Sequence, residues 1–503
     1  MIALMLAALL ALPLQAPTPT MTETGFAHAH HAIATTNPEA QRLFDEGLTL
    51  TYAFDPQDAV TRFQHAAHAD PDCAMAQWGI ALAYGPNINE SYDLGGARNA
   101  RGALARAESL AKKAPVEERA YIAALAERYR ATKKGDVDRS QQRYATAMRD
   151  LVARYPDDLD AASLYAESLM DLQPWDLWNA QGKPNGDEKK IQAILEGVLA
   201  RDPQHIFANH LYIHVMESSP DFAAARASAD RLAAMHFEPA AEHLVHMPSH
   251  IYLHDGEYAK AIAVNTDALA HFAAWRAGPH ESRHGGYVYH DAAMKFAAEL
   301  LAGRSQEAFA TAVSSDLDSS DIAILEAQLR FHRWSTILAN VTKPTTQLQT
   351  FARTMALSAT GKAAAVPAAR KLFEPFANDD AGKIERKLIE AQVARTEGDS
   401  AKAIAALEDA VKQEDALGYN EPPSFYYPVR ETLGAVYLQA GRPADARRTF
   451  EADLKHNGGN PRSFFGLAAA FDALHLPDEA ATTRAAFDAA WHDADVPLHL
   501  ADL

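Results

Sequence analysis

The sequence predicts an all-α fold, and three observations carry that prediction. Alanine is abundant while β-branched runs are scarce, which favours helices over sheets. Hydrophobic residues make up 48% and charged residues 22% of 503 positions, enough apolar side chain for several domains or one long array. One unit also recurs along the chain: a Gly or Pro turn, an acidic or polar residue, then alanine-rich helical periodicity.

In chain order, the first sixteen residues, MIALMLAALLALPLQA, have the apolar length of a secretory core and are too short to cross a bilayer. The expectation is a leader over residues 1–26 and a periplasmic or secreted mature chain with no membrane span. If Met21 is the true start, the protein is cytoplasmic. Residues 27–503 then form a single array, with histidine-rich central repeats over 159–303 and C-terminal repeats over 370–490.

The recurring unit is seen in GEYAKAIAVNTDALAHF, GDSAKAIAALEDAV and GRPADARRTFEADLKHN, and several units follow a helix with a small residue near its middle. Gly47, Ala81, Ala166, Ser249, Gly434 and Ala468 are those residues. On these motifs the chain resembles the tetratricopeptide repeat family over about residues 40–490. The resemblance implies a right-handed superhelical solenoid of helix A and helix B hairpins, each about 34 residues long. NHLYIHVMES and HLVHMPSHIY also look like a bacterial group of predicted exported repeat proteins, a likeness that supplies a fold and no reaction.

Charge and cysteine usage narrow the chemistry. A formal charge of −19 argues against a nucleic-acid partner or an anionic membrane surface, since both need clustered Lys and Arg. The single Cys73 excludes an intramolecular disulfide framework and a multi-thiolate zinc site, and its alanine-rich surroundings read as a buried small hydrophobe. No Gly-rich phosphate loop, nucleophile elbow or His-Glu-x-x-His motif occurs, so no nucleotide cofactor is implied. Any metal must be held by His and carboxylates.

Twelve of the 22 histidines lie between residues 205 and 290, four of them in HLVHMPSHIYLH. Taking Leu159, Ile206 and Glu242 as the first residues of three helices A gives a common frame. The resemblance implies that positions 2, 5, 9, 12 and 13 of helix A line the concave groove. His210 and His246 then share position 5; His214, His250 and Glu167 share position 9; Glu217 takes 12, His243 takes 2, and Asp171 and His254 take 13. Histidines four apart stack on one helix face about 5–6 Å from each other, and neighbouring axes lie about 8–10 Å apart. Imidazoles on adjacent helices therefore reach a common ion at bonds of about 2.0–2.1 Å, with ligand type favouring zinc, copper, iron or nickel over magnesium or calcium. The opposing reading is a groove whose histidines contact a ligand without metal.

Pro248 falls at position 7 of its helix, where it removes a backbone donor. The expectation is one kinked helix; the alternative is two short helices with Pro248 starting the second, which would lose the face shared by His246 and His250. His290, beside Asp291, is a further ligand or an orienting residue. His28, His30 and His31 precede the first helix as a lid, an extra ligand or a plain leader. Trp175 and Trp178 in LQPWDLWNAQGKPNGDE either wall the pocket or pack on the solenoid edge. In NEPPSFYYPVRE, Tyr426, Tyr427, Arg430 and Glu431 are candidate ligand contacts, with an Arg–Glu pair internal to the fold as the competing reading of Arg430.

Three functions stay open on the sequence. One is a solenoid that binds a peptide, protein or small molecule in a groove carrying a His/Glu cluster that holds a divalent transition metal (Zn, Cu or Fe). The second is a metal-dependent enzyme, oxidative or hydrolytic, on the same residues, with Glu167 or Glu217 as ligand or base. The third is a metal-free protein-interaction scaffold.

Overall fold

The computed structural model describes residues 25–179, 181–278, 286–314, 316–317, 320–423, 425 and 428–503. The first 24 positions of the expected leader, and Tyr426 and Tyr427, lie outside them. Among the described residues the chain is a run of antiparallel helix pairs, Pro38–Tyr52 with Pro56–Ala69 at one end and Pro461–Ala473 with Pro477–Ala490 at the other. Extended pairing among the described residues is confined to isolated bridges such as that of Trp178 with Pro184. This is an all-α array of helical hairpins, the architecture that the resemblance to tetratricopeptide repeats implies. No described helix is long and apolar enough to cross a membrane.

Local sequence explains where the helices begin. Asn37 caps Pro38–Tyr52 by accepting from the Glu39 amide, with Pro38 in the first turn, where a missing N–H costs nothing. Asp158 does the same for Leu159–Met170, accepting from Ala161 N at 2.9 Å. The helices Leu159–Met170, Ile206–Met216 and Glu242–His246 start on the residues taken as position 1 of the groove frame. Turn glycines of the recurrent unit, Gly256, Gly303, Gly398 and Gly441, have φ between 71° and 77°, a left-handed turn that a Cβ would strain.

Packing repeats as well. The Phe63 ring lies between Gly47 and Gly79, and thirty-two-residue spacing recurs at the other end, with Phe450 between Gly434 and Gly466. A Cβ on Gly79 would sit 2.4 Å from the Phe63 ring, and one on Gly466 would sit 2.1 Å from Phe450. Each Phe of helix B thus needs two bare backbones, one from its own helix A and one from the next. Gly79 and Gly466 make these contacts, and the small residues Ala81 and Ala468, two positions further on, are buried as well.

The array curls back on itself. Trp275 Nε1 donates to Asp58 Oδ2 at 2.8 Å, tying the Tyr258–Ala277 helix to the first hairpin across 217 residues. Further on, Ser305 Oγ donates to Asp495 Oδ1 at 2.7 Å, and the Gly458 carbonyl packs against Gly256. Two large apolar cores result, one spanning residues between Ala27 and Ala302 and the other residues between Leu325 and Leu503. A buried ion pair anchors the second: Arg330 donates to both Glu431 oxygens at 2.7 and 3.0 Å, and Asn460 Nδ2 donates to Glu431 Oε1 at 2.9 Å.

Pro248 divides its segment as the alternative reading has it, into Glu242–His246 and Pro248–His254, with the proline in the first turn of the second helix. The common face survives the break. Met247 keeps right-handed helical angles (φ −48°, ψ −38°), so His246 Nε2 and His250 Nε2 lie 2.9 Å apart. The kinked single helix is therefore replaced by two helices joined in helical register.

Candidate metal centre

Curling of the array brings histidines from three hairpins into one interior chamber. His210 and His214 come from Ile206–Met216, His243 and His246 from Glu242–His246, His250 from Pro248–His254, and His290 from Val288–Leu301. Their ligand nitrogens fall into two sets. Those of His210, His214 and His243 lie within 4.8 Å of one another, and so do those of His246, His250 and His290. The sets adjoin, with ring centroids 6.1 Å apart for His214 and His250 and 5.8 Å for His243 and His246.

In the first set the ring orientations are held from behind. His210 Nδ1 donates to the Tyr52 carbonyl at 2.6 Å, and His214 Nδ1 donates to Glu217 Oε1 at 2.9 Å. Both rings therefore carry a proton on Nδ1 and turn Nε2 toward the chamber. Neither Nε2 has a hydrogen-bond partner, and neither nitrogen of His243 does, although all three residues are buried. His243 is clamped instead by stacking on Tyr287 at 4.1 Å. Burial, followed by the neighbouring imidazoles, holds the His210 and His243 pKa values well below the ordinary one, so both rings are neutral.

In the second set His246 Nδ1 faces Asn265 Oδ1 at 2.6 Å and Asp291 Oδ1 at 3.1 Å. Asn265 commits its amide nitrogen to the Ala261 carbonyl, so its oxygen accepts from His246. His250 Nδ1 lies 3.0 Å from Glu217 Oε2 and also contacts Glu421. Burial opposes the charged form of His250, but those two carboxylates outweigh it and raise its pKa to about 10. Glu217 therefore orients one histidine of each set. Its own pKa stays below the ordinary carboxylate range because His250 and His214 outweigh burial.

A pocket of about 380 Å³ opens onto both sets through His214, His243, His250 and His290. Trp175, Tyr287 and Tyr419 wall it, and Asn89, Asn420 and Glu421 add polar groups. Phe54 packs behind, with ring centroids 4.5 Å from His210 and 5.6 Å from His243. Phe54 and Trp175 both have positive φ, 56° and 62°, and both rings contact His214. Such strain in non-glycine residues gathers where a site over-determines the backbone.

Other sequence candidates lie apart from this chamber. Glu167 and Asp171 face the buried Arg128, which pairs with Asp171; Glu167 is raised to about 7 by burial against the opposing pull of Arg128. Neither belongs to the two histidine sets. His30 Nδ1 pairs with Asp45 at 2.7 Å and His31 Nδ1 with Asp160 at 2.9 Å, so the N-terminal segment is strapped to the solenoid and adds no imidazole to the chamber. His31, Asp158 and Asp160 form a compact cluster, but Tyr121, Tyr52 and the Ala161 amide already bond its carboxylates. Trp178 packs in the core and donates to the Val215 carbonyl at 2.7 Å, whereas Trp175 reaches the pocket. Arg430 pairs with Asp415 at 2.7 Å and Glu431 with Arg330, ion pairs internal to the fold. Cys73 is buried, and burial pushes its thiol up to about 11.

Sequence reasoning missed Glu421, Tyr419, Asn265 and the Tyr52 carbonyl. Glu421 stands at the head of NEPPSFYYPVRE, a stretch singled out for its later residues. An acid just before two prolines, on a segment that is barred from helix, was the available signal.

Fold and chamber together define a helical-hairpin solenoid closed around an internal histidine cluster. No family model matches the chain, and no curated protein does. Among solved structures it is similar to a human IFIT1 dimer with PPP-AAAA (14% identity, 90% of this chain and 95% of that one, TM-score 0.31). It is also similar to the P58(IPK) TPR domain (13%, 87% and 98%, TM-score 0.22) and to the APC/C hetero-tetramer Cut9–Hcn1 (13%, 88% and 80%, TM-score 0.28).

Proposed function

We propose that this protein is a helical-repeat metalloprotein that holds a transition-metal ion on His210, His214 and His243 and admits a small molecule to the ion's open position. One observation carries the reading: three buried imidazoles converge with unpartnered nitrogens, while the opposite nitrogens of two are fixed by the Tyr52 carbonyl and Glu217. A buried polar atom left without a partner costs about 1–3 kcal/mol, and an ion would remove that cost three times over. Carboxylate and carbonyl acceptors behind ligating histidines are the usual means of fixing tautomer and aim.

Three protein ligands beside a pocket leave room for an exogenous fourth, the arrangement of reactive rather than purely structural ions. A pocket of about 380 Å³ suits a small molecule better than a protein segment. Its aromatic walls would stack a planar group, and Asn89 and Asn420 offer hydrogen bonds to orient it. An ion there would act as a Lewis acid.

Elemental analysis of the full chain, stripped with chelator and reloaded with zinc or copper, tests this. Stoichiometric metal in the native protein, lost in a His210→Ala, His214→Ala double variant that keeps its helical circular dichroism, is expected. Native protein that stays metal-free, with melting unchanged by either ion, would refute it.

A further inference from the structure

The second histidine set has a use that a single-ion centre leaves unexplained. His246 is held by Asn265 and Asp291, and His250 by Glu217 and Glu421, so each ring is braced behind its inward nitrogen like His210 and His214 of the first set. That is more support than two packing histidines require. His290 completes the group, its ring centroid 4.8 Å from that of His246 and 5.5 Å from that of His250, and it opens to the same pocket.

We propose that His246, His250 and His290 form a second metal site, so that the chamber holds a pair of imidazole-bound ions facing one shared small-molecule pocket. The inference rests on the reading of the first set as a metal site.

The geometry is close to what an ion needs. Bonds of about 2.0–2.1 Å in tetrahedral directions place two ligand nitrogens about 3.3 Å apart. His246 Nε2 and His250 Nε2 are 2.9 Å apart, so they need only a small separation to exchange their shared hydrogen bond for a metal. The proton of that bond leaves as the ion enters.

Glu217 couples the two sites physically. Its Oε1 accepts from His214 of the first set, and its Oε2 lies beside His250 Nδ1 of the second. With Glu421 and Asp291 it also places negative charge behind the neutral ligands, which offsets repulsion between two cations held close together. Each site has three imidazoles, and two ligands of each, His214 with His243 and His250 with His290, border the pocket. A small ligand seated there faces both ions, the geometry in which two metals clamp one bridging oxygen or anion. Copper is the ion of choice for such a set, because imidazole suits it and divalent affinities peak at copper.

Copper(II) titration of chelator-stripped full-length protein, followed by desalting and elemental analysis, tests the pair. Two equivalents per chain are expected in the native protein and one in His290→Ala, the half-buried ligand at the pocket edge. Electron paramagnetic resonance of the native protein offers a check that needs no variant: paired ions should show coupling that broadens or removes the copper signal. One equivalent in the native protein, two retained in His290→Ala, or two uncoupled signals would each overturn the pair and leave the first site standing. No copper at all would sink both.

Discussion

Glu217 and His214 are three residues apart at the end of one helix, fully buried, with Oε1 2.9 Å from Nδ1. This contact fixes which nitrogen of His214 faces the chamber. Glu217→Gln should therefore weaken metal binding by about 10–100-fold while the helical content stays unchanged. Isothermal titration with zinc would measure it, and an unchanged affinity would remove Glu217 from the design.

Glycine contacts predict two opposite responses to the same substitution. Gly79→Ala and Gly466→Ala push a Cβ into the Phe63 and Phe450 rings, and overpacking of this kind costs about 1–3 kcal/mol. Gly102 and Gly197 are helical glycines facing open space, where Ala should gain about 0.5–1 kcal/mol. Thermal melting of the four variants should split them into a destabilised and a stabilised pair.

Arg330 and Glu431 form the polar anchor of the second core, both almost wholly buried. Removing one partner strands the other charge, so Glu431→Ala should cost about 3–5 kcal/mol. Denaturant unfolding of the C-terminal half, followed by fluorescence of Trp334, would register the loss; a cost below about 1 kcal/mol would show that Glu431 is dispensable.

The N-terminal strap should be pH-dependent. Burial lowers the His31 pKa, but the hydrogen bond and charge of Asp160 outweigh it and hold it at about 9. A folded value above the unfolded one near 6.5 stabilises fully below about pH 6.5 and is lost as pH rises through about 9, a difference of about 3 kcal/mol. Hydrogen-exchange protection of Ala27–Ile33 should fall between pH 6.5 and 9.5, and Asp160→Asn should flatten that dependence.

How far the sequence carries can be judged residue by residue. The turns between units place Leu159, Ile206 and Glu242 at helix starts, and helical spacing from those starts puts His210 beside His214 and His246 beside His250. What depends on superhelical curvature is invisible to that frame. Glu167 has the same position number as His214 but belongs to a hairpin whose interior is claimed by Arg128. Glu421 reaches His250 across 171 residues, and the Tyr52 carbonyl reaches His210 across 158, because the array closes on itself. Pro248 is legible as a break, yet not that Met247 would keep the helical register across it. Ala81 and Ala468 are small as the pattern asks, but on those two helices it is Gly79 and Gly466 that let a phenylalanine ring touch backbone.

The most direct measurement is an anomalous-scattering crystal structure of metal-loaded protein. A peak bonded to His210 Nε2, His214 Nε2 and His243 at about 2.0–2.1 Å is the predicted result. Those nitrogens bonded only to ordered water, in crystals grown with saturating zinc or copper, would contradict the account.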